Sequence, residues 1–102
     1  MIDIELRYID SCPNREVAEA RLKEAIAAEG IEEAISYTLV SSIEDAQRMG
    51  FVGSPSILVN GVDPFAPESA QPCFACRVFA TEDGPQGSPT VSEIRKALRR
   101  SK

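Results

Sequence analysis

Tyr8-Ile9-Asp10-Ser11-Cys12-Pro13-Asn14-Arg15 is where an apolar, strand-like segment ends and a helical pattern begins. Ile2, Ile4, Leu6 and Tyr8 alternate with Asp3, Glu5 and Arg7, so residues 2–9 read as the first strand. Ala18, Leu22, Ala25 and Ile26 recur at helical spacing, so 13–29 reads as a helix, with Gly30 as its stop. Proline is favoured at a first helical position, where its missing N–H is not needed. Cys12 therefore stands at or next to the N-cap. Orphan amides and the positive end of the helix dipole at that site favour thiolate, the nucleophilic form of sulfur. A packed, inert cysteine is the competing reading. Arg15 lies in the first turn, where a cation opposes the dipole but supports a thiolate at Cys12. Otherwise it is an exposed arginine facing water.

Composition narrows what such a site can do. A chain of 102 residues is enough for one core, so 1–102 is read as a single domain. With 43% hydrophobic and 26% charged residues it is expected to fold rather than stay disordered. A formal charge of −5 argues against nucleic acid or an anionic membrane as partner. No apolar run is long enough to span a bilayer, and the first residues lack signal-peptide character, so the expected location is the cytoplasm. Structural disulfides are rare there, and three cysteines leave at least one thiol unpaired in a monomer. The absence of histidine removes Cys–His and Ser–His catalysis and an ordinary structural zinc site, so no metal ligand set is assigned.

Residues 34–40 are rich in β-branched and aromatic types and read as a second strand, parallel to the first through a right-handed crossover. Ser41-Ser42-Ile43-Glu44 has the spacing of a capping box and opens a short helix ended by Gly50. In Phe51-Val52-Gly53-Ser54-Pro55-Ser56-Ile57-Leu58-Val59-Asn60-Gly61, a strand from Ser56 to Val59 runs into an Asn-Gly turn. Pro55 sits just before that strand, where proline is tolerated.

The order of these parts resembles the thioredoxin-like superfamily, and in length the glutaredoxins and small thioredoxins. The resemblance covers about residues 1–61. It implies an α/β fold with a four-stranded mixed sheet in the order β-α-β-α-β-β-α and helices on both faces. It also implies that Cys12 is the active cysteine, that Pro55 is a cis-proline lying against it, and that Pro13, Arg15, Ser54 and Pro55 contact substrate. The family's usual Cys-x-x-Cys is absent, because Arg15 occupies its fourth position. Cys12 therefore acts alone or with a thiol from elsewhere in the chain.

Residues 62–72 carry three prolines and are excluded from a central strand. Loops of this length are often functional, which makes Asp63 and Phe65 candidate pocket residues. Cys73 and Cys76 follow, and the pairings 12–73, 12–76 and 73–76 all stay open. If 74–80 is the fourth strand, Phe74, Cys76, Val78 and Ala80 share a face and Cys76 is core packing. In the family's sheet the third and fourth strands are antiparallel. That keeps Cys73 from Cys12 unless the long loop folds back. Residues 81–89 read as a loop, and Thr90-Val91-Ser92-Glu93 as the capping box of a last helix with a basic end.

The resemblance implies a thiol–disulfide oxidoreductase. Cys12 attacks a disulfide, Cys76 or Cys73 is a possible resolving thiol, and the backbone of Ser54 holds the substrate chain in a strand-like pose. No resident cofactor is expected, only a low-molecular-weight thiol such as glutathione as co-substrate and a protein or small-molecule disulfide as partner. Two alternatives stand beside it. One is a binding module that keeps the fold without redox chemistry. The other is a handler of soft metals or organomercurials, since residues 73–79 are similar to a cysteine-bearing strand of organomercurial lyases and thiolates suit soft metals. The latter needs a carboxylate beside two thiols, for which Asp10 and Asp63 are the candidates.

Overall fold

The computed structural model describes residues 2–32, 34–67 and 69–101. It is a compact α/β arrangement of three helices and a mixed sheet. The elements are β1 (Ile4–Tyr8), α1 (Asn14–Ala28), β2 (Ile35–Leu39), α2 (Ile43–Met49), β3 (Ser56–Val59), β4 (Phe79–Thr81), β5 (Gly84–Gln86) and α3 (Val91–Ser101). β1 lies between β2 and β3, parallel to the first and antiparallel to the second. The right-handed β1-α1-β2 unit expected from alternating elements accounts for the parallel pair.

Alternation on β1 sets the layers. Ile4 and Leu6 are buried with Ile57 and Val59 of β3 beneath α1 and α3. The α1 stripe Ala18, Leu22, Ala25 and Ile26 and the α3 residues Ile94 and Leu98 complete this core. Burying six or more such side chains at roughly 1.5–3 kcal/mol each is what drives this half together. Glu5 and Arg7 take the other face, where Arg7 pairs with Glu5 at 2.9 Å and donates to the Met49 carbonyl at the end of α2. A second, smaller cluster joins Ile9, Cys12, Val40, Ala46 and Phe51.

The helix ends follow the sequence with small shifts. Thr90 and Glu93 form the expected reciprocal box, each side chain accepting from the other's backbone N–H at 3.2 and 3.0 Å. At α2 the cap is Ser42 rather than Ser41, with Oγ accepting from the Asp45 N–H at 3.1 Å. Pro13 takes the cap position of α1 and the helix starts at Asn14, one residue later than expected. Arg95 and Arg99 of the basic last helix both pair with Glu29 at the end of α1, joining the two packed helices; Lys102 lies outside the described residues.

The expected fourth strand is corrected. Among the described residues the sheet has three strands, not four. Residues 73–78 are not strand, and β4 begins only at Phe79 and pairs with β5 in a separate two-stranded hairpin built from part of the expected loop. Phe74 and Val78 are exposed, so the apolar alternation across 74–80 does not face a core. With nothing to bury on that face, strand propensity alone does not make a strand.

Candidate functional site

The C-terminal end of β1 turns through Ile9 to Pro13, with the Cys12 N–H bonded to the Ile9 carbonyl at 3.2 Å. Cys12 is therefore the residue before the α1 cap, and it is only 6% exposed. It packs in the small apolar cluster, yet its Sγ donates to the Ser54 carbonyl at 3.6 Å and accepts from the Cys76 thiol at 3.4 Å.

Ser54 ties the site together. Its Oγ accepts from the Ile9 N–H at 3.1 Å, fixing the loop to the end of β1. Its N–H donates to the Ala75 carbonyl at 2.8 Å, and its own carbonyl accepts from the Arg77 N–H at 2.9 Å. These two bonds set residues 75–77 beside Ser54 as a parallel bridge, opposite Cys76. The Ser54–Pro55 peptide is cis, and both residues are buried. The backbone of Ser54, expected to hold a substrate strand, is thus occupied by the chain's own segment.

Arg77 anchors that segment. Its guanidinium pairs with Asp63 at 2.7 Å, donates to Ser56 Oγ at 3.1 Å and lies 4.1 Å over the Phe79 ring. Ser56 Oγ donates in turn to the Gly53 carbonyl at 2.6 Å. Gly53 adopts φ +122°, and a Cβ there would stand 2.7 Å from the Cβ of Arg77. Only glycine lets the two backbones approach this closely.

The cysteines separate clearly. Cys76 is exposed rather than core packing, and it stands against Cys12 because 73–77 crosses the Ser54 loop instead of running down a sheet edge. Cys73 is exposed, with its N–H donating to the Phe51 carbonyl at 2.8 Å. Among the described residues no hydrogen bond joins its sulfur to either of the other two. The Cys76 thiol is held above its ordinary pKa, first by donating to Cys12, then by partial burial and the neighbouring sulfur's charge.

The other candidates are distributed around this centre. Pro13 is exposed. Arg15 does not simply face water: its guanidinium lies 4.4 Å over the Tyr8 ring, and its Nε is buried without a hydrogen-bond partner. Asp63 is committed to Arg77, which corrects its candidacy as a free carboxylate beside two thiols, and Asp10 is exposed. Phe65 packs edge-on against Phe79 and lines a cleft of about 320 Å³ with Pro64 and Pro89. Among the described residues no cluster of three or more His, Cys, Asp or Glu is arranged to hold a metal. None of their helices is long and apolar enough to cross a membrane.

Sequence reasoning missed Arg77 and Gly53 as site residues. Arg77 carried a signal, a cation directly after a cysteine, but its partner Asp63 lies on a loop with no periodicity to tie the two together.

No family model matches the chain, and neither a curated protein nor a solved structure does.

Proposed function

We propose that this chain is a thioredoxin-like thiol–disulfide oxidoreductase whose redox couple is Cys12 and Cys76. The observation that carries the reading is the 3.4 Å separation of the two sulfurs. A disulfide needs about 2.05 Å, so closure asks for a further approach of roughly 1.4 Å. The exposed segment around Cys76 makes that approach inexpensive. Supporting it are the β-α-β-α-β order and a cysteine just before the α1 cap, in contact with the loop that leads into β3. The missing second cysteine of the helix turn is replaced by Cys76, 64 positions away in sequence.

The cycle needs no resident cofactor. A disulfide accepts two electrons from the two thiols, and a low-molecular-weight thiol such as glutathione returns them, in the cytoplasm as the working compartment. The test is oxidation under mild conditions, alkylation of remaining thiols, and peptide mapping by mass spectrometry. The expected result is a Cys12–Cys76 cross-linked peptide with Cys73 alkylated. Recovery of all three cysteines alkylated would favour the redox-inactive binding module instead.

A further inference from the structure

We infer that residues 75–77 occupy the strand-docking groups of Ser54 as a tethered substrate mimic, so that the couple exchanges with small disulfides and thiols arriving at Cys76 and not with polypeptide strands. This deepens the proposed function and rests on the Cys12–Cys76 couple.

A strand docks by giving and taking backbone hydrogen bonds along an open edge. Beside Cys12 the groups that the resemblance implies would hold a substrate strand are the N–H and carbonyl of Ser54. Both are filled, by the Ala75 carbonyl and the Arg77 N–H at 2.8 and 2.9 Å. Cys76 lies between them, opposite Ser54, with its sulfur on the sulfur of Cys12. That is where the cysteine of a docked chain would have to lie. Displacing the mimic means breaking two backbone bonds and also the Arg77 anchor to Asp63 and Ser56.

Access then assigns the sulfurs. Thiol–disulfide exchange is a displacement at sulfur, so its rate depends on which sulfur an incoming disulfide can reach. Cys12 is nearly sealed, with Ser54 on one side and Cys76 on another. Cys76 is exposed. The thiolate of Cys76 attacks a small disulfide RSSR, forming Cys76–S–SR and releasing RS⁻, which takes up the proton Cys76 gave to solvent. Cys12, after losing its own proton to solvent, attacks the Cys76 sulfur and expels the second RS⁻. Two thiols have become one disulfide, and RSSR has become two RSH. Excess RSH reverses both steps.

The test uses the wild-type chain. Reduced protein is mixed with hydroxyethyl disulfide or with insulin at equal disulfide concentration, quenched in acid, and mapped by mass spectrometry. Closure of Cys12–Cys76 is expected at least about tenfold faster with the small disulfide, with the early adduct on Cys76, because its reach to the incoming disulfide outweighs the smaller thiolate fraction that its bond to Cys12 leaves it. An early adduct on Cys12, or insulin closing the couple as fast, overturns the inference while leaving the couple itself standing. Failure of both oxidants to close the couple overturns the couple. A second arm loosens the anchor with Asp63→Ala. The insulin rate is expected to rise relative to the small-disulfide rate, and a ratio fixed at the wild-type value overturns the mimic.

Discussion

The half of the molecule made by β1, β3, α1 and α3 and the segment from Val62 to Thr81 are held by different physics. In the first, Leu6, Leu22, Ile57, Ile94 and Leu98 are fully buried and interlock across layers. Position there is set by volume and periodicity. In the second, Phe74 and Val78 stand at 39% and 73% exposure; apart from Phe65 and the buried Phe79, which pack edge-on, the chain is fixed by the Arg77–Asp63 pair, two backbone bonds to Ser54 and one from Cys73 to Phe51. Position there is set by a few directed contacts. The proposed redox couple spans this divide, with Cys12 rooted in an apolar cluster and Cys76 carried by the anchored segment. A rigid sulfur facing one on a weakly packed segment is an arrangement suited to opening and closing a bond.

The largest test of the contrast is Leu22→Ala against Val78→Ala. Removing the Leu22 side chain from a sealed core is expected to cost about 2–5 kcal/mol. Val78→Ala is expected to stay within about 0.5 kcal/mol, because almost nothing packs on it. Urea denaturation with an unchanged slope reads both, and similar midpoints for the two variants would erase the distinction. Next in size is Asp63→Asn, which leaves the Arg77 charge without its partner. Fully buried pairs lose about 3–5 kcal/mol when broken, but both side chains here keep 11–13% exposure, so about 1–3 kcal/mol is expected. Hydrogen exchange sharpens the comparison. The Ser54 and Arg77 amides should exchange faster in Asp63→Asn, with the amides of α1 left at their wild-type rates.

How much of this was legible follows the same divide. The β1-α1-β2 unit, α2, β3 and the Thr90–Glu93 box were readable because alternation, helical spacing and caps are local signals. Placing Cys12 before a helix needed only those elements in order, and its place against the Ser54–Pro55 turn was what the resemblance to the thioredoxin-like superfamily implied. The three-stranded sheet was not readable, since 74–80 has the alternation of a strand but no face to bury. Nor was the meeting of Cys76 with Cys12. It depends on Arg77 reaching Asp63 across 14 positions and on Gly53 leaving room for Arg77, and neither contact has a period. Gly53→Ala probes that room directly. A Cβ at φ +122° and 2.7 Å from Arg77 is expected to cost about 1–2 kcal/mol. It should also lower the yield of the Cys12–Cys76 cross-link, which a purely local strain would not do.

The smallest effect concerns a proton. Cys76 is held above its ordinary pKa chiefly because its S–H donates to the Cys12 sulfur, with partial burial and charge adding to this. The fold thus favours the protonated thiol. That contribution is fully present below the unfolded thiol value of about 8.5 and is lost as pH rises through the higher folded value. Only the thiolate is alkylated, so the iodoacetamide rate at Cys76 should keep climbing past the midpoint of a free thiol. Cys12→Ala takes away the acceptor sulfur. The Cys76 midpoint should then move down toward the free value and its rate at neutral pH should rise, even though the variant has lost a neighbouring thiol. If burial of the segment were the dominant cause, the midpoint would stay high in Cys12→Ala. The direction of that one shift therefore separates a hydrogen bond between two sulfurs from the packing around them.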